Sequence, residues 1–216
     1  MRNRFDEQLE RLNKDMVHMG ELCETAITNA TKALKEGDQK LAKEVVQFDE
    51  KIDQLESEIE GICLKLLLQQ QPVARDLRQI SAALKMITDM ERIGDQAADI
   101  GEIIVSEKKD AQVDIPMIIQ MSEAATKMVR KSVEAYVNKD LTLAGDVIQA
   151  DDVVDELFEG VKTKLIQKIA DHTEEGRHAM DLIMVAKYLE RIADHATNIA
   201  EWVEFSITGV HKGESL

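Results

Sequence analysis

Apolar residues recur along this chain at alternating steps of four and three. Phe5, Leu9, Leu12, Met16, Met19, Cys23, Ala26, Ala30 and Ala33 follow that rule. So do Leu41, Val45, Phe48, Ile52, Leu55, Ile59, Ile62 and Leu66, and then Leu77, Ile80, Leu84 and Ile87. Such a stripe is the buried seam of a helix in a coiled-coil-like bundle. The stops between stripes are equally legible. Gly37 followed by Asp38 reads as a helix end and then a cap for the next helix. Pro72, after three glutamines, suits the first turn of a new helix, and Pro116 starts another. Asn138-Lys139-Asp140 is a further stop and start, Thr173 reads as a cap in the loop 172–176, and 209–216 reads as a frayed tail. These marks predict six long helices, at roughly 3–36, 38–70, 72–107, 115–137, 140–170 and 174–208. Their short connections make consecutive helices antiparallel.

The second half of the pattern repeats the first. Asp49-Glu50-Lys51-Ile52-Asp53 returns 102 residues later as Asp151-Asp152-Val153-Val154-Asp155. Glu91-Arg92-Ile93-Gly94-Asp95 returns 99 residues later as Glu190-Arg191-Ile192-Ala193-Asp194. Asp38 matches Asp140, and Met16, Met19, Ala26 and Ala30 match Ile118, Met121, Met128 and Ser132. The expected fold is all-α: two pseudo-symmetric antiparallel three-helix bundles, one over residues 1–110 and one over 111–216, joined by the polar stretch 106–114. Two copies make a duplication, not a solenoid.

Composition narrows the function. The 216 residues carry 2 prolines and 10 glycines, few breakers for so long a chain. Aromatics make up 3%, so the core must come from Leu, Ile, Val, Ala and Met. The ten methionines and the two cysteines, Cys23 and Cys63, read as adaptable core and small core hydrophobes. The net charge of −15 argues against nucleic acid, which needs a basic footprint. It argues equally against docking on anionic lipid by charge. No run approaches the ~18 apolar residues of a membrane span, and the first residues lack a signal-peptide core. The expected location is the cytoplasm, with any membrane association made through a partner.

The repeated acids are the candidate chemistry. Residues i and i+4 share a helix face, so Asp49 projects with Asp53, and Glu91 with Asp95 and then Asp99. Glu56, Glu60 and Glu102 lengthen those rows. Continuing the seam of Leu77, Ile80, Leu84 and Ile87 by four residues lands on Glu91; Ile183 and Ala186 lead to Glu190 in the same way. A carboxylate at a seam position faces another helix, and an unpaired buried charge neutralises or acquires a partner. Two partners fit: Arg92, Arg191 or lysines of a neighbouring helix in an ion-pair network, or a hard metal ion among opposed oxygens. The halves differ in detail, since Asp99 corresponds to Asn198 and Gln96 to His195.

Glu-Arg-Ile-Gly-Asp and Glu-Arg-Ile-Ala-Asp-His, each preceded by a DxxxD helix about forty residues upstream, resemble the PhoU family, and Gln71-Pro72-Val73-Ala74-Arg75-Asp76-Leu77-Arg78 looks like its third-helix opening. The resemblance covers nearly the whole chain. It implies two three-helix bundles, a homodimer, and iron or zinc clusters bound through the paired motifs. On this chain the implied ligands are Asp49, Asp53, Glu91, Asp95 and Asp99, then Asp151, Asp155, Glu190, Asp194 and Asn198, with Glu50 and Asp152 beside them. It also implies a non-enzymatic negative regulator of phosphate uptake, linking a phosphate ABC transporter, through its ATPase subunit, to a phosphate-sensing histidine kinase.

Two rival readings remain at this stage. A ferritin-like di-iron enzyme needs two ExxH motifs in a bundle interior, whereas Glu175-Gly176-Arg177-His178 lies in a predicted loop or helix start. A structural helical adaptor would leave the acids solvated and bind no metal. Trp202 reads as packing or a dimer contact. Arg75 and Arg78 read as solvated salt-bridge partners of Asp76 and its neighbours, or as ligands of an anion near a helix start.

Overall fold

A computed structural model describes residues 2–69, 72–106 and 116–210. Among them run six long helices: α1 (Arg2–Glu36), α2 (Gln39–Gln69), α3 (Ala74–Ser106), α4 (Pro116–Asn138), α5 (Leu141–Asp171) and α6 (Gly176–Thr208), with one 3-10 turn, Thr173–Glu175, before α6. The predicted boundary at 110/111, most of the predicted linker and the tail beyond Val210 fall outside the described residues.

The first three helices form one bundle and the last three another. The two join through α3 against α6 and α1 against α4, while α2 and α5 touch only their own bundle. The arrangement is a central layer of four helices with one helix laid on each side. The seams supply a continuous core: Leu12, Met16, Met19, Ile52, Ile59, Leu66, Ile80, Met86, Ile87 and Met90 are all but inaccessible to water. Cys23 and Cys63 are buried free thiols, as the periodicity predicts. The Cys23 thiol donates to the Met90 carbonyl at 3.3 Å, which ties α1 to α3. Trp202 packs against the core and meets Phe205 edge to face.

The helix ends follow local chemistry. After α1 the Asp38 amide donates to Ala33, Gly37 is left-handed at φ 63°, and the Asp38 carboxylate accepts from the Lys40 and Leu41 amides. After α4 the same device recurs: Asp140 donates to Ala135 and caps Thr142 and Leu143. There, however, the left-handed residue is Lys139, at φ 55°, a conformation that costs a side chain roughly 1 kcal/mol and a glycine almost nothing.

Two predicted ends need correction. Pro72 lies outside α3, which begins at Ala74; the first helical carbonyl is that of Val73, which accepts from Leu77. Thr173 does not cap α6. It opens the 3-10 turn, and the residue flanking α6 is Glu175, whose side chain makes no cap hydrogen bond.

Candidate functional site

The two acidic rows of each bundle face one another because the outer helix of each half lies along an inner one. In the first half α2 carries Asp49 and Asp53, and α3 carries Glu91 and Asp95. Asp49 and Glu91 are half-buried, whereas Asp53 and Asp95 reach solvent. One oxygen of Asp49 is wholly buried and accepts no hydrogen bond. It sits where α3 comes closest, at Gly94: a methyl group there would lie 2.5 Å from Asp49 Oδ1 and 2.8 Å from Ile52 Cδ1.

Electrostatics shows which groups are brought together. Burial pushes the Asp49 carboxyl up to about 7, and the charges of Asp53, Asp95 and Glu91 add to the effect. A side-chain contact from Asp95 raises it further. Burial likewise raises Glu91, helped by Asp95, Asp53 and Glu56, while Arg92 opposes. These carboxyls therefore face each other across the helix pair without a cation that neutralises them, the situation in which one of a group retains its proton or a metal takes its place.

The second half repeats the arrangement on α5 and α6. Asp151 also has a buried oxygen with no partner. Burial, then Asp194, Asp155, Glu190 and Asp152, push it up to about 6. Asp194 is raised by burial and by Glu190, against the pull of Lys187. Here one acid is paired: Lys187 bonds Glu190 at 2.5 Å, with the Glu190 side chain 14% exposed. The first-half counterpart of Lys187 is Thr88. The ion pair found is thus not one of those expected: its lysine lies on α6 itself, one turn before Glu190, and is neither Arg191 nor a lysine of a neighbouring helix. Among the described residues Arg92 makes no ion pair.

The last member of each row goes elsewhere. Asp99 is raised by burial, Glu102 and Asp95, and feels Arg191 of the opposite bundle. Asn198 donates to Asp89 Oδ1 at 3.2 Å, and His195 Nδ1 lies 2.9 Å from the same oxygen. Both residues are committed to the α3–α6 contact, and His195 is buried. Asp89 escaped the sequence reading. The signal was present, since the position follows Met86 by three, but the partners lie 106 and 109 residues away.

Among the described residues, no three His, Cys, Asp or Glu side chains converge tightly enough to hold an ion as they stand. The donor set nevertheless fits a hard cation. It is all oxygen, it includes one orphaned buried carboxylate oxygen per half, and its mutual repulsion is what a cation offsets. No helix among the described residues is long and apolar enough to cross a membrane.

Comparison with known proteins agrees with the duplicated geometry. The PhoU domain description fits residues 16–104 and again 118–203. A Clostridium acetobutylicum protein, a phosphate-specific transport system accessory protein PhoU homolog, is 34% identical over 207 residues, spanning 95% of this chain and 94% of its own. An Aquifex aeolicus homolog of the same description is 38% identical over 186 residues, 85% of this chain and 84% of its own. The crystal structure of PhoU from Pseudomonas aeruginosa superposes with a TM-score of 0.87 at 31% identity, covering 95% of this chain and all (100%) of that one. That of the phosphate transport system regulatory protein PhoU from Streptococcus pneumoniae gives 0.89 at 25% identity, covering 97% and 100%. With both of its halves matched and the acid rows repeated in each, the chain belongs to the PhoU family.

Proposed function

We propose that this chain is a non-enzymatic accessory regulator of phosphate-specific transport that restrains uptake when phosphate is plentiful. The observation that carries the reading is the PhoU match in both halves, to relatives of that description over nearly their whole length. In this reading it works in the cytoplasm as a homodimer and docks on the ATPase subunit of a phosphate ABC transporter and on a phosphate-sensing histidine kinase. The acidic surface supports docking on basic partner faces, since complementary charge speeds encounter and fixes orientation.

The carboxylate clusters belong to the same proposal. Asp49, Asp53, Glu91 and Asp95 would hold iron or zinc in the first half, with Asp99 at the edge of the row. Asp151, Asp155, Glu190 and Asp194 would do so in the second, with Asn198 adjoining. A bound cation supplies positive charge that neutralises the opposed acids, together with open coordination positions at the surface. The protein's own part is to hold α2 on α3, and α5 on α6, so that the acids stay opposed.

The test is genetic and then elemental. Cells lacking the chain should take up phosphate faster and show stronger kinase output in phosphate-rich medium, and the intact chain should restore restraint. Unchanged uptake and output would end the regulatory reading. Elemental analysis of protein purified without chelator should find metal that Asp49→Ala with Asp151→Ala removes. Far less than one ion per chain would leave a metal-free helical adaptor.

A further inference from the structure

A cleft of about 360 Å3 opens where three helix ends meet, with Arg78, on α3, 13 residues before Glu91 and Ser206, on α6, 12 residues after Asp194. Arg75 and Arg78 come from the start of α3, Lys139 from the turn after α4, and Ser206 from the end of α6, with Tyr136 forming part of the wall. Among the described residues three cations line it and no carboxylate does, in a chain of net charge −15. Among the described residues none of the three makes an ion pair, so the reading of Arg75 and Arg78 as salt-bridge partners of Asp76 is not borne out.

Three further features make this more than a basic patch. The Arg78 Nε is wholly buried and has no hydrogen-bond partner, although a buried guanidinium N–H ordinarily finds one. Gly209 turns left-handed at φ 80° against the Arg78 side chain; a methyl group there would lie 3.4 Å from Arg78 Cδ. Lys139 occupies a left-handed turn where the equivalent residue of the first half is Gly37. The offset of 99 that carries Glu91 onto Glu190 carries Arg75 onto Glu174. It also carries Arg78 onto Arg177, so the opposite end keeps one of the three cations and has an acid and a glycine in place of the other two. The hydroxyls present are committed, Tyr136 donating to the Gln79 carbonyl and Ser206 to that of Val203. Charge, not neutral donors, must select the ligand.

We infer that the cleft bounded by Arg75, Arg78 and Lys139 is a binding site for a phosphate group, either free inorganic phosphate or the phosphate of a small monoester. Guanidinium forks match the oxygens of phosphate and of carboxylate alike. Three unpaired positive charges, however, suit the roughly −1.5 to −2 of a phosphate at neutral pH better than a single carboxylate. They also reverse the repulsive field of the surrounding acidic protein within a Debye length. The inference rests on the cleft alone and depends neither on metal nor on the regulatory role.

Calorimetric titration of the full chain, at fixed ionic strength, with inorganic phosphate, AMP and acetate tests it. Saturable binding of phosphate or AMP is expected, with acetate much weaker; which of the two binds tells the free anion from the ester. Arg75→Gln with Arg78→Gln should weaken binding about tenfold or more, and Lys43→Gln on the exposed face of α2 should leave it unchanged. Lys139→Gly should raise the melting temperature while weakening the same binding, so a result exists even where the arginine variant does not fold. No saturable binding of either phosphate, equal binding of acetate, or unaltered affinity in the folded arginine variant or in Lys139→Gly would overturn the assignment.

Discussion

The two halves of the molecule place the same acids on the same helices and treat them differently. In the first half no lysine among the described residues bears on Asp49, and Gly94 lets α3 press against it. In the second, Ala193 stands where Gly94 does, and Lys187 bonds Glu190. Lys187 also opposes the rise of the Asp194 carboxyl, whereas in the first half Arg92 is what opposes the rise of Glu91. A duplicated site has thus diverged into one with a greater unmet demand for positive charge and one that meets part of the demand from its own side chains.

The sharpest way to break this comparison is to exchange the small residues. Gly94→Ala drives a methyl group into Asp49 and Ile52; it should lower stability by about 2 kcal/mol, the scale of core overpacking. The reverse change, Ala193→Gly, should cost about 1 kcal/mol by helix propensity alone. Urea denaturation of both variants measures the difference, and an unaffected Gly94→Ala would mean that the helices are not in close approach there.

Next in size is the response to pH in chelator-treated protein. Because Asp49 and Asp151 have raised values when folded, the native state holds protons that the unfolded chain releases above about pH 4. Their contribution to stability is therefore fully present below that pH and is lost as pH rises, through about 6 for Asp151 and about 7 for Asp49. Asp49→Asn should flatten the upper part of the decline and gain about 1–2 kcal/mol at pH 8, a figure reduced for solvent screening at a half-exposed site. Asp151→Asn should gain less. Melting temperatures taken between pH 5 and pH 8 check both the sign and the order.

A third comparison concerns the turns. Gly37→Lys copies the second half into the first and should cost about 1 kcal/mol, since the left-handed backbone then carries a side chain. A matching fall in the urea midpoint confirms that the two turns are equivalent. The smallest effect is expected from Thr88→Lys, which gives Glu91 the partner that Glu190 has. It should add about 0.3–0.5 kcal/mol to the metal-free protein and weaken first-half cation binding, read by competition with a chelator.

Much of the fold was legible because helix seams are local. Leu12, Met16 and Met19, or Ile80 and Ile87, advertise their burial within one or two turns, and Asp38 and Asp140 announce their caps. The pairing of Asp49 with Asp95 followed from the repeat and from Glu91 falling on a seam. Contacts between halves carried no such local mark. Asp89, His195 and Asn198 meet only because α3 crosses α6, and the phosphate cleft gathers residues 75, 139 and 206 from three helix ends. The start of α3 was misread for a subtler reason: the helix takes its first carbonyl from Val73, which leaves Pro72 outside.

The Asp89 contact bears on the duplication. It is one-sided, because the positions that face Asp89 are His195 and Asn198, while their first-half equivalents are Gln96 and Asp99. A self-associating pair made from the first half alone would set Asp89 of each copy against Asp99 of the other, acid against acid at the heart of the join. A pair made from the second half alone would bring Tyr188 to His195 with no carboxylate between them. The join between the halves thus draws its carboxylate from one repeat and its nitrogen donors from the other, so the fused chain holds a contact that two copies of either half would not reproduce.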